Sequence, residues 1–228
     1  MTADLNETLE KLLSAALPHV DFDGWAEPVF DMAIADSGVG TAQARLACPR
    51  GTLDLARYFH DAGDAEMQAR MAELDQTQMR YRERVARAIW ERLEIAGQNK
   101  EAVRKAAALF ALPIHAGEAA RATWHTADAI WTALGDTSED YNWYTKRLTL
   151  SAVWSAVLLY WLGDDSPGYA DTRAFIDRRI ENIMQFERAK AKARENRLVQ
   201  SFLNGPGRVF DRIKAPGTRD DLPGSINH

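Results

Sequence analysis

A run of fifteen residues without a formal charge, from Leu148 to Leu162, most constrains what this chain can fold into. Tyr160 is the only ionisable side chain in it. The run is shorter than the roughly 18 apolar residues that a membrane-spanning helix needs. A helix that is apolar nearly all round belongs in a protein interior. Small residues recur four apart on it, as with Ser151 and Ser155, so another helix or a lipid chain could approach closely.

The overall charge argues against a general affinity for nucleic acid. The net charge of −5 and the pI near 5.6 leave no excess of cations for phosphate contacts. The single cysteine, Cys48, excludes an internal disulfide and favours a reducing compartment. The N-terminal residues are acidic and resemble neither a secretory signal nor a transit peptide. We therefore expect a protein of the bacterial cytoplasm, and nucleic acid is not an expected partner.

Apolar residues recur with the helical period along almost the whole chain, and no segment alternates as a strand would. The predicted fold class is therefore all-α. Pro18 is expected to end the first helix and Asp23 to cap the second. A short helix is predicted from Thr41 to Ala47, and the next is expected to open at Gly51-Thr52 and to be interrupted at Gly63.

The segment from Gly24 to Asp61 resembles, in layout, the helix-turn-helix of TetR-type repressors. A helix that reads DNA should present cations and amides to phosphates and bases. This segment and the residues after it instead offer as many acidic as basic or imidazole groups, namely Arg50, Arg57 and His60 against Asp54, Asp61 and Asp64. We interpret it as a degenerate helix-turn-helix that is retained for its architecture.

The C-terminal part is cationic and amphipathic within an otherwise acidic chain. Such a segment can lie in a membrane interface, with cations near anionic headgroups. The alternative is a terminal helix that packs on its own domain or on a partner subunit. The predicted membrane-contacting residues are Leu198, Val199, Phe202, Leu203, Val209 and Phe210. The predicted domains are an N-terminal unit (1–75), a helical domain (76–190), this amphipathic segment (191–214) and a disordered tail (215–228).

A search for catalytic motifs finds none. No histidine stands three residues after a glutamate, as the helices of a di-iron bundle would require, and no zinc spacing is present. There is no dinucleotide fingerprint, phosphate loop or nucleophile elbow. We predict no catalytic residue, no metal ligand and no cofactor, and the chain is not expected to be an enzyme.

Two adjacent aromatic residues, Trp143 and Tyr144, lie in the first turn of the helix that contains the uncharged run. Successive residues of a helix are about 100° apart, so both rings cannot be fully buried on one face. Tryptophan and tyrosine are frequent anchors of protein interfaces. The pair is therefore a candidate partner-binding site, and the alternative is that both rings attach this turn to the core.

Two stretches, GDTSEDYNWYTKRLTLSAVW and SPGYADTRAFIDRRIENIM, closely resemble the signature of a family of coenzyme Q biosynthesis proteins, the ninth of the yeast series. The resemblance extends over about Trp25 to Met184 and implies a TetR-like fold. It also implies a homodimeric, non-catalytic protein that binds isoprenoid lipid and presents a ubiquinone precursor to the di-iron hydroxylase of the pathway. Asp140, Trp143 and Tyr144 would meet that hydroxylase. The C-terminal segment would associate with the inner membrane, although Gly205-Pro206-Gly207 favours two short pieces over one helix.

The uncharged helix and the helix before it are the predicted walls of a lipid pocket. The candidate lining residues are Trp124, Trp131, Leu148, Ala152, Trp154, Ser155, Leu158 and Leu159. The cargo would be an isoprenoid or quinone lipid or a phospholipid. Two other functions stay open: a TetR-type ligand-responsive transcriptional regulator, and an interaction protein in which these residues form a solid core.

Overall fold

The computed structural model describes residues 2–139 and 141–194, and most of these residues are helical. No β-strand occurs over those residues, so the all-α prediction is confirmed. The helices are α1 (Thr2–Asp23), α2 (Glu27–Ser37), α3 (Thr41–Ala47), α4 (Thr52–Glu73), α5 (Tyr81–Gly97), α6 (Lys100–Phe110), α7 (Ala116–Ala133), α8 (Tyr141–Leu162) and α9 (Ala170–Arg194). Short 3-10 turns at Pro113–His115 and Pro167–Tyr169 precede α7 and α9.

The first helix does not end at Pro18, and that prediction was wrong. α1 continues to Asp23 with the proline inside it. A proline within a helix costs one backbone hydrogen bond and a steric clash, about 3 kcal/mol. Leu12, Ala16 and Val20 form a stripe that is fully buried on both sides of Pro18. Packing of this stripe against α2, α3 and α6 offsets the cost of the proline.

The predicted cap at Asp23 was also wrong, because this residue is the last of α1 rather than the start of α2. Gly24 follows it with a φ of +69°, and its amide donates to the carbonyl of Val20. Glycine adopts this left-handed conformation without strain and so ends the helix. α2 then begins at Glu27, with Pro28 in its first turn, where a missing amide hydrogen costs nothing.

Gly63 does not interrupt α4, contrary to the sequence-based expectation. The helix runs unbroken from Thr52 to Glu73. A Cβ atom at residue 63 would lie 2.7 Å from both Cζ and Nη1 of Arg92 on α5. The glycine therefore allows the Arg92 guanidinium to lie directly against the backbone of α4.

The chain has two clusters of buried apolar residues among those described. One is formed by α1, α2, α3 and α4 and includes Leu12, Val29, Phe30 and Leu55. The other is formed mainly by α4, α5, α7, α8 and α9. The first cluster also contains Ala102, Ala106 and Phe110 of α6. Phe59 packs against both clusters. The predicted domain limits, including the one at residue 75, stay predictions.

α8 packs between α7 and α9, so its uncharged sequence is buried along most of its length. Trp154, Val157 and Trp161 are at most 1% exposed. One face is uncovered, however, because Leu148 is 65% and Leu159 66% exposed. No helix in the described part of the chain is both long and apolar enough to cross a membrane.

Candidate functional site

A cavity of about 220 Å³ lies between α4, α5, α6, α7 and α8. Most of its wall is apolar and comes from small residues, which leave space because their side chains are short. The lining residues are Phe59, His60, Arg92, Ala96, Val103, Ala106, Ala107, Phe110, Ala111, Ala119, Ala122, Thr123, Trp154, Ser155, Leu158 and Leu159. Its volume exceeds the roughly 150 Å³ of an engineered apolar cavity that holds benzene, so it is large enough for one aromatic ring.

Four of the eight predicted lining residues line this cavity together, namely Trp154, Ser155, Leu158 and Leu159 of α8. Ser155, one of the small residues that recur four apart, is therefore part of the cavity wall. Whether the cavity binds lipid stays a prediction.

The other four predicted residues lie elsewhere. Trp131 lines a separate space of about 170 Å³ between α5, α7, α8 and α9, where its ring stacks on Tyr81 at 5.9 Å between centroids. Trp124 lies on the outer side of α7, while Leu148 and Ala152 are exposed on α8 and line neither space. A helix that is apolar nearly all round gives no sign in its sequence of which face meets a cavity.

A buried ionic cluster stands behind one wall of the cavity, and the sequence did not reveal it as a unit. The carboxylate of Asp64 is fully buried and accepts a hydrogen bond from Arg92 Nε at 2.7 Å. His125 Nδ1 lies 2.8 Å from the same carboxylate, and Thr126 Oγ1 donates to it at 3.0 Å. His60 Nε2 lies 2.8 Å from Thr126 Oγ1. The residues come from three helices, so only the spacing of four between His60 and Asp64 is visible locally.

The buried cluster has definite protonation states. Burial lowers the pKa of His60, and the charge of Asp64 offsets only part of that effect, so the imidazole is neutral at pH 7. Burial alone would raise the pKa of Asp64, but the hydrogen bonds with His125 and Arg92 and the charge of Arg92 outweigh it, and the pKa is lowered. The hydrogen bond to Asp64 raises the pKa of His125. Asp64 is thus a carboxylate paired with a permanent cation.

The same cluster contains the only group of potential metal ligands found among the described residues. One ligand atom each from His60, Asp61 and Asp64 lies within 4.8 Å of the others. The guanidinium of Arg92 already neutralises Asp64 at 2.7 Å and would repel a cation at that position. The donor set therefore does not favour a metal ion.

A second candidate surface lies at the start of α8. The rings of Trp143 and Tyr144 meet edge to face with centroids 4.8 Å apart, and Trp124 of α7 lies 5.8 Å from Trp143. All three rings are half-buried. The guanidinium of Arg147 lies 3.9 Å from the centre of the Trp143 ring. Both aromatics of the pair are thus packed on one side and accessible on the other.

Asp136, which lies in the connection between α7 and α8, binds side chains of the first turns of α8. Lys146 Nζ donates to one of its oxygens at 2.7 Å, and Arg147 Nη1 donates to the other at 3.2 Å. Burial would raise the pKa of Asp136, but the hydrogen bonds from Lys146, Ser138 and Arg147 outweigh it and lower the pKa. Arg147 also binds Asp128 of α7, so the turn that carries the aromatic pair is attached to the neighbouring helix.

The cations of the helix-turn-helix region are engaged within the protein. Arg45 pairs with Glu27 and Asp31. Arg50 pairs with Asp54 and with Glu118 of α7, and Arg57 also binds Glu118. A DNA phosphate would have to displace these carboxylates, which agrees with the interpretation of the module as architectural.

Some predicted site residues lie outside the described residues. Asp140 of the candidate partner surface is one of them. The six predicted membrane-contacting residues are the others, namely Leu198, Val199, Phe202, Leu203, Val209 and Phe210. Their roles stay predictions.

Comparison with known structures defines the class of fold. A TetR transcriptional regulator from Nitrosomonas europaea superposes with a TM-score of 0.61 over 76% of this chain and 95% of its own, at 19% identity. This degree of similarity shows the fold alone, and the predicted TetR-like bundle is confirmed.

The sequence comparisons are more specific. The COQ9 family model matches residues 116–187, which include the aromatic pair and the cavity face of α8. The chain is also similar to the ubiquinone biosynthesis protein COQ9, mitochondrial, of Drosophila melanogaster, at 29% identity over 78% of this chain and 55% of that protein. The rat protein is 26% identical over 85% of this chain and 64% of its own. The predicted resemblance is thus confirmed, over little more than half the length of these relatives.

Proposed function

We propose that this chain acts in ubiquinone biosynthesis as a non-catalytic, lipid-binding accessory protein. It would bind an isoprenoid lipid and present the quinone precursor to the di-iron hydroxylase of the pathway at the inner face of the bacterial membrane. The observation that carries the proposal is the apolar cavity, whose walls from α7 and α8 lie in the segment that matches the COQ9 family model. The named role of the similar proteins, ubiquinone biosynthesis, supports the choice of pathway.

The size of the cavity limits what it would enclose. Typical ligand pockets measure about 300–1,000 Å³, whereas this one measures about 220 Å³. It would hold one ring or a short piece of chain, and the rest of a long lipid would leave through the mouth. Leu159 and Ala111, both exposed, lie at that mouth. A hydrocarbon chain outside it would need cover from a membrane or a partner.

The proposed partner surface is the group formed by Trp124, Trp143 and Tyr144. Half-exposed aromatics held by a buried arginine, here Arg147, are suited to anchor an interface, because little side-chain entropy remains to be lost. Trp143 and Leu159 lie on the same helix, about 24 Å apart along its axis. One rigid element would therefore connect the bound lipid with the hydroxylase.

Lipid extraction tests the proposed cargo. The full chain, purified from cells that make ubiquinone, should release an isoprenoid or quinone lipid that mass spectrometry identifies. Ser155→Phe would fill the cavity and should reduce the recovered lipid at least fivefold. Ala152→Phe is the matched control, because residue 152 is exposed on the same helix and lines neither internal space. Equal lipid in both variants, or none in the wild-type chain, would contradict the proposal.

Binding to the hydroxylase tests the proposed surface. Trp143→Ala should weaken association at least tenfold in a titration with the purified di-iron enzyme, since truncation of an interface tryptophan costs more than about 1.4 kcal/mol. Leu148→Ala, one turn further along α8 and 65% exposed, is the control. Loss of helicity or of lipid in Trp143→Ala would instead indicate that the ring only attaches this turn to the core.

The proposed membrane and dimer contacts have separate tests. Full-length Phe202→Glu should bind anionic liposomes less well than the wild-type chain in co-sedimentation if the C-terminal segment contacts the membrane. Analytical ultracentrifugation of the full chain should give a homodimer. The rival function, a TetR-type regulator, predicts salt-dependent binding to duplex DNA, which the paired arginines of the helix-turn-helix region oppose.

A further inference from the structure

A surface depression of about 420 Å³ lies between α4 and α7, next to the proposed partner surface. Its lining residues are Arg57, Ala120, Arg121, Trp124, His125 and Asp128. Trp124 belongs to both regions, because it lines the depression and its ring lies 5.8 Å from that of Trp143 in the aromatic group. A protein that docks on the aromatic rings would therefore also cover the depression.

Three arginines share the carboxylate of Glu118 at the edge of this depression. Arg50 Nη1 donates to it at 2.8 Å and Arg57 Nη1 at 2.6 Å. Arg121 Nη1 lies 3.5 Å from it. The side chain of Glu118 is only 12% exposed, so the carboxylate lies beneath the guanidinium groups that surround it. One anion can thus neutralise only part of their positive charge.

Arg121 is the least neutralised of the three arginines. Arg50 and Arg57 each have a second carboxylate, which belongs to Asp54 and Asp61 respectively. Arg121 has no second carboxylate partner among the residues that the structure describes, and its side chain is 74% exposed. Its guanidinium is therefore free to bind an anion without displacing an internal partner.

His125 supplies a second group beside Arg121. Its side chain is 50% exposed, and its Nδ1 lies 2.8 Å from the buried carboxylate of Asp64. Because a carboxylate only accepts, Nδ1 carries the proton, and Nε2 makes no hydrogen bond within the described part of the chain. A carboxylate brought close to Nε2 would favour the protonated ring, because an opposite charge nearby stabilises the charged form.

The carboxylates near the depression do not cancel the charge of its outer edge. Asp128 is bound by Arg147, and Asp61 lies 3.5 Å from Arg57. Their side chains are 41% and 35% exposed, well below the exposure of Arg121. The outer edge is therefore cationic, and the negative charges lie deeper and are paired.

We infer that this depression receives an acidic side-chain cluster of the protein that docks on the aromatic group, with a carboxylate at Arg121 and His125. The inference rests on the proposed partner surface and specifies the chemistry that the di-iron hydroxylase must present there. The chain has a net charge of −5 and would repel an acidic partner elsewhere on its surface. A cationic edge beside the aromatic rings would fix the orientation of such a partner.

The shape of the depression favours a protein over an anionic membrane. Arg57, one of its lining residues, has a side chain that is 21% exposed, whereas that of Arg121 is 74% exposed. A flat layer of headgroups would reach the outer arginine alone. A protruding aspartate or glutamate side chain can enter the depression and contact both its edge and its interior.

Charge reversal tests the inference in titrations of the full chain with the purified hydroxylase. Arg121→Glu should weaken association at least about tenfold in about 0.1 M salt, because it places a carboxylate opposite the carboxylates of the partner. In about 1 M salt, where the Debye length is about 3 Å, the loss should fall below about threefold. Arg178→Glu makes the same change of charge at an exposed position of α9 and is the matched control. Its affinity should stay within about twofold of wild type.

Glu118→Gln should have an effect of opposite sign. It keeps the shape of the side chain and removes the charge that partly neutralises Arg121, so association should strengthen about threefold. Circular dichroism checks that each variant folds. If these residues only hold α4 against α7, Glu118→Gln would not strengthen association.

A charge swap locates the contact. Arg121→Glu is titrated with hydroxylase variants that each change one exposed aspartate or glutamate to lysine. One of them should restore the affinity to within about threefold of the wild-type pair, because residues in direct contact are energetically coupled. Failure of every swap would contradict a contact at Arg121.

An unchanged affinity in Arg121→Glu, equal losses in Arg121→Glu and Arg178→Glu, or weaker association of Glu118→Gln would each overturn the inference. Loss of binding to anionic liposomes in Arg121→Glu, with hydroxylase binding unchanged, would assign the depression to a membrane instead. If Trp143→Ala weakens association and the charge variants do not, the proposed partner surface stands and only the acidic contact fails. A wild-type chain that does not bind the hydroxylase would overturn both.

Discussion

Two ionic clusters join α4 to α7, and they use the same chemistry at different depths. Asp64 is fully buried, and its partner Arg92 has a side chain that is 6% exposed. Glu118, by contrast, binds Arg57 and Arg50, whose side chains are 21% and 49% exposed. The arginines that bind Glu118 contact solvent and can exchange partners, whereas the buried Arg92 cannot. We therefore expect the ion pair beside the cavity to fix how α4 and α5 pack, and the pair whose arginines contact solvent to add little stability.

The largest expected effect is at Asp64. Asp64→Ala leaves the Arg92 cation buried without a counter-charge, and we expect it to lower the free energy of unfolding by about 3–5 kcal/mol. Urea denaturation followed by circular dichroism measures this. The double variant Asp64→Leu with Arg92→Met, which removes both charges, should recover much of the loss. If Asp64→Ala were as stable as wild type, leaving the Arg92 cation buried without a counter-charge would carry no cost, and the prediction would be wrong.

A smaller effect is expected at Gly63, where α4 touches the Arg92 guanidinium. Gly63→Ala raises the helix propensity of α4. Atoms of the Arg92 guanidinium would, however, lie 2.7 Å from the new methyl group and would have to move away. We expect a net destabilisation of about 1 kcal/mol, and more if the Arg92 to Asp64 bond breaks. Gly117→Ala is the control, because no atom lies within 4 Å of a Cβ there, and it should be neutral or stabilising by about 0.5 kcal/mol.

The smallest effect is expected at Glu118. Glu118→Gln should lower the free energy of unfolding by about 1 kcal/mol or less in the same denaturation experiment, since its partners are in contact with solvent. The difference from wild type should shrink further in about 1 M salt, where the Debye length is about 3 Å. A loss as large as that of Asp64→Ala would remove the contrast between the two clusters.

The stability that Glu118 contributes should also depend on pH in a definite window. Hydrogen bonds from Arg50 and Arg57 lower the pKa of Glu118 from 4.5 to about 2. A pKa lowered by folding gives a contribution that is fully present above the unfolded value and is lost as the pH falls toward the folded one. The difference between wild type and Glu118→Gln should therefore be constant above pH 5 and disappear between pH 4.5 and 2. A constant difference down to pH 2 would contradict the lowered pKa.

The parts of the fold that could be predicted from the sequence are those with local causes. α3 and the start of α4 follow from the turn residues around Gly40 and Gly51, and the predicted limits agree with the structure. The same local rules failed at Pro18 and Gly63, where packing with other helices decides the outcome. The buried stripe of α1 offsets the cost of the proline inside that helix. The contact of an arginine on α5 with the backbone of α4 explains the glycine.

The candidate site could be predicted only in part for a similar reason. The absence of charge on α8 identified the helix, and Trp154 and Ser155 do line a cavity. Because α8 lacks charge on every side, its sequence did not show which side faces the cavity. Leu148 was therefore included among the lining residues although it is exposed. The buried ionic cluster needed Arg92 and Thr126, which lie 28 and 62 residues from Asp64 along the chain, and no local pattern joins them.

The close approach of Arg92 to Gly63 has a consequence for how related chains can diverge. A side chain at the position of Gly63 would occupy the space that the guanidinium of Arg92 fills, so the two are unfavourable together. The two positions should therefore change together during evolution rather than one at a time. A homologue that has lost the glycine should have lost the arginine, and with it the buried ion pair with Asp64.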